Sequence, residues 1–563
     1  MNFFNTLSLL LGVASGFFFA QNAAAQSNPL KGRDTLVLEN FRIEGLPDSY
    51  KQPAPLPDER LEIRKDEKLD VDAPDLPVRP PVAPLQYPLE LMPKTQWEKL
   101  HNNYLRLGFG LYLSPMADLF VHNGRNPKFD AGLNFRHRSA IAGHAPFARF
   151  NDNEIGAKVA RHSGKHTVFA RVGFHHYAYN AYGDSAAVLE KDEQRLRERF
   201  VRSDLAAGVY RRFNAKCVYG LNTHFKLYND RRGITEFHTT VAPHAKFRIF
   251  DSLRVNLETF VTVSAVKQPT YAEKALTQAF WDLTPTLSYV RKRMSFSAGL
   301  RINAFAREGA RWGVYPVAEV KATLVPKYLD FAAGVTGRSH YYTRYDWAVF
   351  NPWVDERAFA LSSSEKYNIY AGAGGAVDNF TYRLSAFHRR VQAMPVFFSP
   401  ERDTFDYNLR MRQGRFQVLY ENGFTETALA AEAGYTHEDK FRAGTKIEYS
   451  LYGLEDYKHY FNMPAFRAHL WGGLTLFKKL YLEMQWYFYG PRPMGYVTRE
   501  GESQAALVVE PFFPDAGLKV EYRFSKRFSV FAQGNNLLYQ RYVRWHNYVE
   551  RRIDARAGLT LSF

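Results

Sequence analysis

From Tyr104 to the end of the chain, apolar and polar residues alternate with period two, segment after segment. Met294, Phe296, Ala298, Leu300, Ile302 and Ala304 alternate with Ser295, Ser297, Gly299, Arg301 and Asn303. Leu253, Val255, Leu257, Val261 and Val263 alternate with Arg254, Asn256, Glu258, Thr262 and Ser264, and Ala516, Leu518, Val520, Tyr522 and Phe524 with Gly517, Lys519, Glu521 and Arg523. Successive side chains of a strand point to opposite faces, so each segment predicts a strand with one apolar and one polar face. A soluble sandwich shows the same alternation. Three features favour a membrane barrel instead: the pattern repeats over about 460 residues without a helical insertion, the segments run about 10 to 14 residues, and short and long connections alternate.

The tight turns are expected at Ser163–Lys165, Phe250–Ser252, Val377–Asn379, His437–Lys440, Lys478–Lys479 and Ser525–Lys526. The long polar connections fall at 179–200, 267–278, 342–364, 393–412, 454–466 and 492–512. Short periplasmic turns with long extracellular loops are the outer-membrane arrangement. In lipid, a sheet satisfies its backbone groups only by closing. The raw count is 23 segments. Both ends on the periplasmic side require an even number, and Arg415–Glu421, beside a long loop, is the weakest. The expected fold is therefore all-β: a transmembrane antiparallel barrel of about 22 strands over residues 104–563, a size associated with plugged transporters.

Composition changes the picture ahead of the barrel. Residues 1–26 read as a signal peptide, with an apolar core at Leu7–Phe19 and small residues at Ala23, Ala24 and Ala25 before Gln26. No other stretch nears the roughly 18 apolar residues of a membrane helix. Residues 27–103 are rich in proline, among them 47, 53, 55, 57, 74, 77, 80, 81, 84, 88 and 93, a density that favours extended chain and predicts a periplasmic arm. Residues 27–100 carry a net charge of −3, residues 101–563 a net +20. The overall +17 contains no Lys/Arg-rich block, and no nucleic-acid partner is expected. Aromatic residues make up 16% of the chain, as suits interface belts.

The candidate chemistry is sparse. Cys217 is the sole cysteine, so no internal disulfide or Cys-based metal site can form. No nucleophile elbow, phosphate loop or zinc-protease motif occurs, and no cofactor, metal or enzymatic activity is expected. His175 and His176, as strand neighbours, face opposite sides. Glu258, Glu483 and Glu521 point inward and could form an acid cluster. However, alternation also sends Arg254, Arg301, Lys446, Lys519, Arg523 and Arg556 inward, together with Glu448, so a lumenal network of ion pairs is the better reading. The run Tyr341, Tyr342, Tyr345, Trp347, Phe350 and Trp353 fits either a glycan or partner site or an interface belt leading into a packed loop.

The chain closes on Gly534-Asn535-Asn536-Leu537-Leu538-Tyr539, then Tyr542, Trp545 and Tyr548, then Ile553–Phe563. Over these 30 residues it resembles the last hairpin of TonB-dependent receptors, and over the rest of the barrel the likeness is architectural. The resemblance implies an outer-membrane receptor or transporter in contact with lipid and lipopolysaccharide. Leu559, Leu561 and Phe563 would be the signal read by the barrel-assembly machinery. Alternation on this strand sends Ile553, Ala555, Ala557, Leu559, Leu561 and Phe563 to lipid, and Asp554, Arg556, Gly558, Thr560 and Ser562 to the lumen. The chain departs from the family in its N-terminal region. Only 77 residues separate the signal from the first strand, far fewer than a plug domain needs, and Asp34–Glu39 is at best a faint TonB-contacting box. Two functions remain open: a receptor-like pore without a standard plug, its lumen occupied by the acidic arm, or a non-transporting subunit of an outer-membrane complex that meets protein partners through residues 27–103 and the long loops.

Overall fold

The structure is a computed structural model. It describes residues 102–563 except 125, 127, 212–215, 269–275, 307–309, 359–361, 400–403, 407, 408, 412, 413, 439 and 498–505. The signal peptide and all but the last two residues of the Pro-rich arm lie outside the described residues.

Twenty-two antiparallel strands close into one barrel. The first, Tyr104–Gly110, pairs with the second, Met116–His122, and on its other side with the last, Asp554–Ser562, in the register Tyr104↔Ser562 to Gly110↔Arg556. Beyond the ladder, Asn103 and Phe563 exchange two backbone hydrogen bonds of 3.0 Å. Every other barrel strand pairs with its neighbours in chain order, apart from hairpins inserted in the long connections. Closure thus supplies partners along the sheet and leaves no outer edge strand.

Alternation gives the barrel its two faces. Leu107, Val172, Leu205, Leu300, Leu384 and Leu429 are exposed on the outside, while Arg138, Asn222, Asn256, Asp282 and Glu448 are buried on the inside. Exposed aromatics gather near the short-turn end, among them Phe250, Tyr289, Phe296, Tyr328, Phe380, Phe441 and Phe563, as an interface girdle requires.

The segment Arg415–Glu421 does not span. Gln417–Glu421 pairs with Met394–Phe398 as a separate hairpin outside the barrel ladder. The strands vary more in length than the expected 10 to 14 residues. Those at the closure are short, with 7 residues in Tyr104–Gly110 and in Met116–His122, 8 in Phe528–Asn535 and 9 in Asp554–Ser562. On the far side Leu276–Arg291, Ala310–Val325 and Ser362–Val377 each have 16. The longer strands lead into the long connections that cover the barrel.

Candidate functional site: a roof of packed loops

The long connections fold over the mouth of the barrel and build a core of their own. Its buried members are Tyr179, Phe200, Tyr228, Ile234, Trp347, Trp353, Val354, Phe397, Phe416, Trp545 and Tyr548. They come from wall strands and from the connections 231–234, 342–358, 393–423 and 536–553, and Ala181, from the connection 181–196, is buried with them.

The first anchor is the helix Arg344–Phe350. Thr343 is its N-cap, accepting from the Asp346 N–H at 3.0 Å. The Tyr345 N–H, another group that a helix start leaves unpaired, donates to Glu236 of the wall at 2.9 Å. The chain then turns back, and Trp353–Asp355 pairs with Phe416 through an Asp355 N–H to Phe416 O bond of 2.9 Å and a Phe416 N–H to Trp353 O bond of 3.0 Å.

Trp353 and Tyr548 form the centre. Their rings stack with centroids 3.7 Å apart. The Trp353 indole donates to Asn180 O at 3.3 Å and the Tyr548 hydroxyl to Gly414 O at 2.6 Å. Both polar tips are therefore satisfied inside the core. Gly414 has φ of +69°, and a Cβ there would lie 2.5 Å from the Asp184 backbone nitrogen, so this crossing of two loops requires glycine. Trp545 packs edge-on against Phe350, Phe397 and Phe416 at 5.1–5.6 Å.

Charges lock the same roof. Glu198 is buried between Arg415 and Arg232, the latter at 2.6 Å. Burial alone would lower the pKa of Arg415, but the carboxylate of Glu198 outweighs it and holds the guanidinium above its ordinary range. Asp355 shows the opposite balance: burial would raise its carboxyl, but Arg357, through side chain and backbone N–H, holds it below the usual range. A second anchor sits at Glu421. Its carboxylate accepts from the backbone N–H groups of Gly423, Glu455, Asp456 and Tyr457 at 2.8–3.1 Å, tying the hairpin to the connection 454–465. These bonds overcome burial and depress its pKa. A cavity of about 20 Å³ remains among Tyr179, Glu198, Arg232, Arg344, Trp347 and Arg415, which is room for a water molecule rather than an organic ligand.

The charged residues singled out in the sequence lie on the inner wall, below this roof. Glu521 bonds Lys519 at 2.8 Å and Arg523 at 3.3 Å, and Glu483 stands in register with Lys519 and accepts from Gln485 at 2.8 Å. Arg301 reaches Asp282 at 3.7 Å, Lys446 reaches Glu432 at 3.6 Å, Arg556 reaches Asp554 at 3.0 Å, and Glu448 pairs with Arg467. Glu258 faces His244, and Arg254 faces Arg248, on the opposite side of the barrel from Glu483 and Glu521. The three glutamates do not meet. On the last strand Asp554, Arg556 and Thr560 are buried inward, while Leu561 and Phe563 are exposed outward. His175 turns inward and bonds Asp152 at 2.5 Å, whereas its neighbour His176 faces out. Among the described residues no group of acidic, histidine and cysteine side chains is arranged to hold a metal.

The sequence reading missed the partners of the roof. The aromatic run at 341–353 marked one half of it, and Tyr542, Trp545 and Tyr548, noticed only as a motif, mark the other. Nothing local announced that Trp353 would meet Tyr548 or that Arg415 would meet Glu198.

A closed barrel of 22 strands, with short turns at one end and long loops folded over the other, is the fold of receptor-type outer-membrane barrels. The FrpB iron transporter of Neisseria meningitidis (F5-1 variant) superposes with a TM-score of 0.64 at 11% identity, covering 83% of each chain. The siderophore receptor PirA of Acinetobacter baumannii gives 0.62 at 11% identity, over 83% of this chain and 81% of that one. A mutant of the ferric enterobactin receptor PfeA of Pseudomonas aeruginosa gives 0.61 at 13% identity, over 82% and 80%. At such identities the likeness is one of fold. No family model and no curated protein matches the sequence.

Proposed function

We propose that the protein is an outer-membrane receptor-like or transporter-like pore, closed toward the outside by its roof of loops and toward the periplasm by the acidic arm 27–103 in place of a standard plug. The observation that carries this reading is the packed, ion-paired roof over a wide barrel with a charged lumen. The resemblance of the last hairpin to TonB-dependent receptors supports it, as does the fold shared with iron and siderophore receptors. A barrel of this width left open would leak, and the net −3 of the arm complements the net +20 of the rest of the chain.

Single-channel conductance in planar bilayers tests the two closures separately. Deleting 27–95 alone, or loosening the roof alone with Trp353→Ala and Tyr548→Ala, should leave the channel nearly silent, and combining them should give a large steady conductance. A silent combined variant would defeat the pore reading. Opening by the roof variant alone would show that the arm does not plug.

A second reading, a non-transporting subunit of a larger outer-membrane complex, is favoured by one observation: the roof is a packed aromatic core whose cavity among Tyr179, Glu198 and Arg415 has room only for water. Native purification from membranes separates the readings, because a stoichiometric protein partner would support the second and a lone barrel would count against it.

A further inference from the structure

One section of the barrel wall is not held by its backbone ladder. Between the strands Ala310–Val325 and Leu329–Tyr341 the register runs up from Val325↔Leu329 and stops at Val317↔Thr336. Both strands continue toward the roof, Ala310–Pro316 paired only to Met294–Ala306, and Arg338–Tyr341 paired only to Ser362–Glu365. Pro316 sits where pairing ends and has no N–H to donate to the next rung.

Side chains bridge the slit instead. Tyr315, 4% exposed, shares hydrogen bonds with Ser339 Oγ at 2.9 Å and Ser364 Oγ at 2.6 Å, and Ser339 donates to Asn303 Oδ1 at 3.3 Å. Arg301 donates to Gly337 O at 3.4 Å. The Tyr315 ring lies on Gly337, where a Cβ would come within 3.0 Å of it, and its hydroxyl lies where a Cβ of Gly313 would come within 2.7 Å. Two glycines thus make room for this clasp.

The slit has an apolar outside and a polar inside. Trp312 and Val314 are 67% and 63% exposed, and Trp312 packs edge-on against Trp281 at 6.1 Å, as at a membrane interface. Behind it Asn368 sits on the rung where pairing ends, opposite Thr336, and is fully buried. Neither end of its amide has a hydrogen-bond partner among the described residues, and the amide nitrogen of the buried Asn303 has none either. Unpaired buried amides are costly, so these two leave hydrogen-bonding capacity free beside the slit.

We propose that this slit is a lateral gate, held shut by the Tyr315 clasp, and that it admits the hydroxyl-bearing headgroup of an outer-leaflet glycolipid. The inference rests on the membrane-barrel reading above. Neutral amides suit sugar hydroxyls, which both donate and accept, and the acyl chains would stay in the bilayer beside Val314 and Trp312. A rung of side-chain bonds opens at lower cost than a continuous ladder, because few bonds must break together.

Amide hydrogen exchange of the full chain in nanodiscs tests this. In phospholipid alone, amides of 310–315 and 337–341 should exchange about 10-fold or more faster than those of 317–323 and 330–336, and Tyr315→Phe should accelerate the upper set alone. Lipopolysaccharide in the disc should slow the upper set toward the rate of the lower. The variant Asn368→Leu should lose that protection while keeping the phospholipid rates. Uniform exchange along both strands would overturn the gate, and fast exchange indifferent to lipopolysaccharide would overturn the ligand. Protection by the water-soluble sugar part without acyl chains would reassign the source to solution. Protection that persists after transfer from native membranes into lipopolysaccharide-free discs would assign the edge to a protein strand. Failure to enter nanodiscs at all would count against the membrane reading, not the gate.

Discussion

At the scale of single residues the roof depends on a few side chains that each hold several others. Glu421 is one. Four consecutive or nearby N–H groups converge on its carboxylate, and a carboxylate with such donors is favoured in its charged form. A depressed carboxyl contributes stability that is full above its unfolded pKa, about 4.3, and is lost as pH falls through the lower folded value. Protection of the amides at 453–458, taken relative to their intrinsic exchange rate at each pH, should therefore be steady from neutral pH down to about pH 4 and fall only below it. Glu421→Gln should remove that transition and loosen the same segment by about 2 kcal/mol at neutral pH, the worth of one charge-assisted bond. Unchanged protection in the variant would show that the connection 454–465 is held by packing alone. The sequence marks such residues poorly. Glu421 closes a short strand and looks like any surface glutamate, because three of its four donors, the N–H groups of Glu455, Asp456 and Tyr457, lie more than thirty positions away.

At the scale of elements the sequence is far more informative. Period-two alternation is local, so strand and face could be read without knowing any partner, and Arg415–Glu421 could be set aside by its position beside a long loop. Strand ends were less legible, since strands such as Ala310–Val325 and Ser362–Val377 run to 16 residues with no break in the pattern to mark where they stop. Pro316 is a local sign of the place where one ladder stops midway, although Pro243 and Pro285 stand in wall strands whose ladders go on. Register makes its own prediction at the last strand. Leu559 stands opposite Leu107 and Val530, and Thr560 opposite Arg106 and Ser529, so neighbours differ in which face they join. Arg placed at Leu559 should cost about 2–4 kcal/mol if that position lies near the bilayer midplane, whereas Arg at Thr560 would enter a polar lumen. Heat-modifiability on gels, or urea unfolding in vesicles, should show the first variant poorly assembled and the second nearly normal. Equal effects would refute the two-faced reading of this strand.

At the scale of the whole molecule the barrel is lopsided, and this has a consequence for how it sits in a bilayer. Strands of 7 residues extend about 24 Å, and tilted by some 40° they cover only about 18 Å of depth, less than the roughly 25 Å apolar band of an outer-membrane barrel. The structure makes up the difference with connections instead of strands. Leu111 and Leu113, joining the first two strands, are half exposed, and Ile141, whose N–H bonds Leu113 O, is 65% exposed. Leu537 and Leu538 continue the same outward surface beside the last strand. These loop residues should then behave as lipid-facing ones. Leu113→Asn and Ile141→Asn should lower the urea midpoint in vesicles, and more so in thick bilayers than in thin ones, because mismatch is borne on the short side first. Leu189 is 82% exposed but belongs to a roof connection, so Leu189→Asn should leave the midpoint unchanged in both. If all three variants behave alike, the short side is not immersed as far as Leu113, and the bilayer must thin around the closure instead.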